Sequence, residues 1–362
     1  MTIILFIVIL AVLVLVHEFG HFAAAKQSGI RVDEFGLGFP PKIVGVKKGE
    51  TEYTLNWIPF GGFVKIFGET PTEESLTGPD SNRSLVKKSK WKQIVVISAG
   101  VTLNFFFAWL LFAISFMSGF PASVSTEMGA IENPETTITS VIDSAPAGVA
   151  GLLPGDVIQS IQTNSGSFVD PNIDTIADIV NTTAGEEFFV TIERGGVEER
   201  FTVSAEQGLL GDRYTIGITM DEIGILTLGP IEAFVEAGKL SFTMAGEIAV
   251  GLVVFVKDLV IGAADYGQVS GPVGIAGLVG DASHFGFAYV LSFTAYISLH
   301  LAVLNLLPFP ALDGGRLLFI LIEMIARKPI KPTVANTINA IGFVLLLGLM
   351  LLVTVQDIVK LF

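Results

Sequence analysis

Val16-His17-Glu18-Phe19-Gly20-His21-Phe22 lies inside an apolar run that starts at residue 2. At about 100° per helical residue, His17 and His21 leave the same face one turn apart, roughly 6 Å along the axis, so two imidazole nitrogens can meet one tetrahedral ion. Glu18 sits beside the pair. In H-E-x-x-H sites the two His ligate zinc and the Glu acts as general base on water. Ionisable groups inside a spanning helix cost a few kcal/mol each, so three together call for a function. The blander alternative is a buried polar cluster in which Glu18 hydrogen-bonds the two imidazoles. The chain has only 4 His, which makes this spacing specific. Two ligands do not complete a catalytic zinc site, which takes three protein ligands and one open position. The third must come from elsewhere.

With 362 residues, 51% of them hydrophobic, and a mean hydropathy of +0.67, the chain is too apolar for a water-soluble protein. It is long enough for a membrane bundle plus one extramembrane domain. The absence of Cys removes disulfides and thiolate ligands and leaves metal binding to His and carboxylate. Of 21 Lys and Arg, 11 lie between residues 26 and 92, whereas 119–285 holds 5 against 23 acidic residues. That segment alone is near −18, and nothing in this balance suggests nucleic-acid binding.

Residues 2–25 form the first expected span. No Lys or Arg precedes the run and its second half carries the His and Glu, so a cleaved signal peptide is the weaker alternative. His17 lies about 20 Å along a helix starting near Ile4, within the bilayer but toward Lys26. The basic residues that follow make that side cytoplasmic. Residues 36–67 change period: Lys42–Val46 and Thr51–Trp57 flank a Lys48-Gly49 turn, and Ile58–Ile66 follows as a third extended piece. This is either an ordinary cytoplasmic hairpin or a sheet edge laid against the membrane near the metal. Residues 93–117 carry no formal charge and form the second span, in which Gly100 and Asn104 share a face. Such a face serves close helix packing or places the amide in the site, and the sequence leaves both open.

Residues 122–221 alternate in the manner of strands, as in Thr137–Ile142 and Phe188–Ile192. Ser144–Ile158, with Gly155-Asp156 at its turn, resembles the core of a PDZ domain, with a helix near 174–183 as a wall of the peptide groove. Such a domain captures peptides by strand addition; the alternative is a folded spacer that blocks access. In 230–262 the uncharged run Ile248–Val256 is too short to cross, which points to an amphipathic helix on the membrane surface. Residues 286–307 form the third span. It runs into Asn305-Leu306-Leu307-Pro308-Phe309-Pro310-Ala311-Leu312-Asp313-Gly314-Gly315-Arg316, where two prolines and a Gly pair break the helix beside a carboxylate. Irregular backbone at membrane depth must be buried in protein or line a wet cavity. Asp313 is therefore the expected third ligand. To reach His17 and His21 the third span must run inward, which holds only if 230–262 does not cross. Residues 338–355 form the fourth span.

The His17–His21 motif, Asn305–Gly315, the PDZ-like insert and Gly271-Pro272-Val273-Gly274-Ile275-Ala276 together resemble the site-2 intramembrane metalloproteases, nearest to the branch of the bacterial regulator of sigma-E. The resemblance covers nearly the whole chain. It implies one zinc on His17, His21 and Asp313, with Glu18 as base. It further implies a membrane-reentrant β element at 42–67 that pairs with substrate, here through Gly61, Gly62, Phe63 and Val64, and an Asn305 that holds substrate near the metal. Asn104 matches a position of less certain role and is carried as a substrate contact. Members often have two PDZ modules, and this chain has room for one. His300 could touch substrate, or be a hydrogen-bonded core residue.

The expectation is thus an α-helical polytopic membrane protein with four transmembrane helices, a membrane-associated β-hairpin region and one inserted PDZ-like α+β domain. Residues 1–118 hold the first two spans and the β region 36–67, and 119–221 the PDZ-like domain. Residues 222–285 form a membrane-surface segment, and 286–362 the last two spans with Asp313. The expected activity is zinc-dependent cleavage of single-pass membrane substrates or signal-peptide remnants at the bacterial inner membrane. The PDZ-like domain is then periplasmic, with protein C-termini as further partners, and the active site lies toward the cytoplasm. A metal transporter and a non-catalytic PDZ scaffold are the competing classes.

Overall fold

Uninterrupted apolar sequence, opened in several places by a proline whose missing N–H costs nothing in a first turn, produces the long helices of this chain. The computed structural model describes residues 2–125, 129–208, 211–263, 270–284 and 286–360. It divides into two compact units, one of residues 1–112, 237–281 and 291–362, the other of 113–236 and 282–290.

The first unit opens with α1 (Thr2–Gln27), followed by β1 (Val32–Lys48) and β2 (Thr51–Ile66). The turn between the strands falls at Lys48-Gly49-Glu50, where Gly49 has φ +66°, a left-handed value that glycine adopts without cost. Both strands fold back on themselves, so two strands make a sheet four segments wide. Residues 32–37 pair with 62–66 on one side and 52–55 on the other, and 51–56 pair in turn with 42–48. Segment 62–66 is therefore an outer edge. Beneath it Ala25, Ile30, Val32, Ile66, Leu85 and Val96 form a small buried core. After the short α2 (Glu73–Thr77) comes α3 (Lys90–Met117), which runs antiparallel to α1. Gly20 packs on the backbone of Ala99 and Gly100, where a Cβ would collide.

The second unit is built on a seven-stranded sheet. Its strands are β3 (Phe120–Ser123), β4 (Ile131–Val141), β5 (Val157–Thr163), β6 (Gly166–Val169), β7 (Glu187–Arg194) and β8 (Val197–Ser204), joined by β11 (Ile218–Leu226). Their order is β3-β11-β4-β5-β7-β8, with β6 on β5. The minor strands β9 (Glu206–Gly208) and β10 (Gly211–Thr215) pair separately. Helices α4 (Pro146–Ala150) and α5 (Ile173–Thr183) cover a core of Ile138, Leu152, Ile158, Ile176, Phe188, Val190 and Ile192. Asp156, 1% exposed, receives two bonds of 2.7 Å from the Arg194 guanidinium and a third from the Leu153 N–H, which satisfies a carboxylate that could not otherwise be buried.

The remaining helices are α6 (Pro230–Val260), α7 (Pro272–His284), α8 (Phe287–Leu306), α9 (Asp313–Ala326) and α10 (Pro332–Lys360). Residues 230–260 form one continuous helix of 31 residues, so among the described residues five helices rather than four are long and apolar enough to cross a membrane. The uncharged stretch between Glu247 and Lys257 is only part of this helix, which carries Glu232, Glu236 and Lys239 in its first turns and Glu247 at mid-length. Residues 264–269 of the expected surface segment lie outside the described residues. The basic stretch after Asp313 also contains α9, which is too short to cross.

Contacts within the first unit constrain the path of the chain. Gly238 of α6 packs on Trp109, nine residues past Gly100 toward the Thr2 end. Gly280 of α7 packs on Thr2 itself, and Gly271 and Gly274 lie on Asp357 near the end of α10. Gly238 and Gly280 thus both lie toward the Thr2 end of the first unit.

Candidate metal centre

Three ligand atoms converge where α1 meets the chain just after α8. The Nε2 atoms of His17 and His21 are 3.2 Å apart, and they lie 3.1 and 3.2 Å from Oδ2 of Asp313. Ligands about 2.0 to 2.1 Å from a tetrahedral zinc are spaced about 3.3 Å apart, so this nearly equilateral triangle fits one face of such a site. The Asp313 oxygen is buried and has no hydrogen-bond partner, an arrangement that a cation would relieve. Among the described residues this is the one group of three His or carboxylate side chains close enough to share an ion.

The local backbone explains the convergence. α8 stops at Leu306, and Pro308 and Pro310 prevent its continuation. Ala311 then takes φ +77°, with its N–H bonded to Asn339 of α10, and α9 starts at Asp313. A Cβ on Gly314 would strike the carbonyls of Leu306 and Leu307, and one on Gly315 that of Phe309. The Gly pair thus lets the first turn of α9 press against the broken end of α8, which aims Asp313 at α1.

The imidazoles are held from behind by α3. His21 Nδ1–H donates to the Val96 carbonyl at 2.8 Å, and His17 Nδ1 faces the Asn104 amide at 3.5 Å. Between these positions lies Gly100, where a Cβ would press on both rings. Gly62 lies 3.7 Å from the Glu18 Cγ, measured from where its Cβ would be, and the Val64 backbone lies beside the Glu18 carboxylate.

A cavity of about 370 Å³ opens on the triangle, lined among others by Glu18, Phe63, Val64, Asn305, Asp313 and Arg316. The outer edge of the sheet and Asn305 therefore share one space with the three ligands. Gly61, with φ +95°, begins that edge beside the Phe39 ring. Asn104, carried from the sequence as a substrate contact, is fully buried behind His17 and offers no surface to the cavity. His300 Nδ1–H donates to the Tyr296 carbonyl, and the imidazole stacks edge-on against that ring, away from the cavity lining. The Val96 carbonyl, Glu69 and Arg316 were not foreseen. Arg316 stands one turn after Asp313, pairs with Glu69 and lines the same cavity. Its i+3 spacing from Asp313 was the available signal, whereas a backbone carbonyl leaves none.

The model of peptidase family M50 matches residues 5–349. A protein of Clostridium perfringens named as a candidate zinc metalloprotease is 36% identical over 355 residues, covering 96% of this chain and 95% of its own length. Proteins named likewise in Synechocystis (37% identical, 96% and 92% covered) and Nostoc (32%, 99% and 96%) align over nearly the same span.

Proposed function

The chain belongs to peptidase family M50, and from that premise we propose that it cleaves peptide bonds within the membrane, in the helices of single-pass protein substrates. It is a zinc-dependent metalloprotease and a multi-pass membrane protein. What carries the proposal is the ligand triangle of His17, His21 and Asp313, set between apolar helices and sharing its cavity with the outer sheet segment 62–66.

His17, His21 and Asp313 hold the metal. Zinc bound there supplies Lewis acidity and makes water a nucleophile at neutral pH. Glu18, beside the Val64 backbone, takes the proton from the attacking water and delivers it to the leaving amide nitrogen. A transmembrane helix keeps its carbonyls hydrogen-bonded, so a few residues must first open into a strand. Gly61, Gly62, Phe63 and Val64 offer the edge that replaces the lost helical bonds, and Asn305 holds the loosened backbone near the metal.

The second unit, with its antiparallel sheet and α5, supports the assignment of 119–221 as a PDZ-like domain. It sits outside the bacterial inner membrane, takes peptide or protein C-termini, and screens substrates whose exterior part is already trimmed. In this reading the membrane is crossed four times, which the positions of Gly238 beside Trp109 and Gly280 beside Thr2 support. Replacing Glu18 by Gln should lower cleavage of a helical reporter by about 10² or more while zinc stays bound. Turnover at the parent rate would remove Glu18 from the chemistry.

A further inference from the structure

Asn104 is fully buried on α3, and its Oδ1 has no hydrogen-bond partner. Its backbone carbonyl is occupied by the Ser298 hydroxyl at 2.9 Å, which pins this turn of α3 to α8. The amide Nδ2 lies 3.5 Å from His17 Nδ1. Two observations fix which ring nitrogen of each imidazole faces the centre. In His21, Nδ1 bonds a carbonyl that can only accept, so this nitrogen carries the hydrogen and Nε2 is left for the ion. In His17, Nε2 is the atom that meets His21 and Asp313. A neutral imidazole that gives its Nε2 lone pair to a metal bears its hydrogen on Nδ1.

That hydrogen then points at an amide N–H₂, donor against donor, while the oxygen of the same amide is orphaned in a buried setting. The two ends of a carboxamide have the same shape, and only the hydrogen-bond network distinguishes them. Turning the Asn104 amide over gives His17 Nδ1–H an acceptor. We propose that Asn104 is a positioning residue of the metal centre, its Oδ1 accepting from His17 Nδ1–H as the Val96 carbonyl does from His21. Val96 and Asn104 are eight residues apart, two turns on one face of α3 with Gly100 midway, so one helix orients both imidazoles. Such partners fix ring orientation and raise ligand basicity, and their loss costs 10- to 100-fold in metal affinity. The inference rests on His17 being a ligand in the function proposed above.

The test is zinc affinity of the full-length protein in detergent, measured by competition with a chromophoric chelator. Asn104→Leu keeps the volume and removes the acceptor, and should weaken zinc about 10- to 100-fold. Asn104→Asp is acceptor-only and should bind within a few-fold of the parent. Parent-like affinity in Asn104→Leu overturns the inference, as does a loss in Asn104→Asp equal to that in Asn104→Leu, because an Asp cannot replace an amide that serves as donor. The Asp variant keeps the question decidable if the Leu variant misfolds. His17→Ala separates the two levels: zinc lost there but unchanged in Asn104→Leu overturns only the role of Asn104, whereas zinc unchanged in His17→Ala removes the ligand assignment beneath it.

Discussion

At Gly100 a single hydrogen in place of a methyl decides whether two imidazoles fit between α1 and α3. The added Cβ of Gly100→Ala would press on both rings, and since neither helix can retreat without breaking the Gly20–Ala99 contact, the rings must turn. Bound zinc should fall by at least about tenfold in affinity with helix content unchanged, a result read by metal analysis after dialysis and by circular dichroism. Undiminished zinc would mean that the rings have slack. Much of the centre was legible residue by residue. The His pair and Glu18 were marked by spacing, and Asp313 by the proline break that no ordinary span would contain. Asn104 was not, because an amide on a small-residue face reads equally as packing, and the Val96 carbonyl belongs to the backbone and has no side-chain signature.

Among the elements, the hairpin was readable in detail. Its strands and the Lys48-Gly49 turn follow from alternation and glycine, and only the doubling-back that leaves 62–66 as an edge needed three dimensions. Helix α6 is longer than its uncharged stretch Ile248–Val256 suggested, and α9 lies in a stretch whose basic residues signalled only its side of the membrane. In the sheet of the second unit, Asp156 and Arg194 join the turn before β5 to β7. Removing the guanidinium leaves a buried carboxylate with one remaining N–H. Arg194→Ala should therefore destabilise this unit by about 2–3 kcal/mol, toward the lower side for a broken buried pair because the Arg is 30% exposed. Hydrogen exchange of β5 and β7 in the intact protein would show it as faster global opening. Unchanged protection would assign the anchoring to the apolar core alone.

For the molecule as a whole, the distribution of charge separated the acidic segment 119–285 from the basic stretch 26–92, and the second compact unit holds 119–236 of that segment whereas 237–281 belongs to the first. The number of crossings was less legible, since length and composition admit five helices. The proposed path takes four crossings, with α7 back at the Thr2 end through Gly280. The sequence holds no Cys, so single cysteines report sidedness cleanly. Cysteines at Ser165 and Phe287 should label from one side of the membrane, and those at Lys48 and Lys328 from the other. Labelling of Phe287→Cys together with Lys48→Cys would mean that α6 crosses alone.

The claim beneath all of this is that one zinc joins α1 to the start of α9. X-ray absorption at the zinc edge, on the purified parent and on Asp313→Asn, tests it most directly. The account predicts one zinc per chain with two imidazole nitrogens and a carboxylate oxygen at about 2.0 to 2.2 Å, and a loss of bound metal in the variant. An identical zinc content and absorption spectrum in Asp313→Asn would contradict it.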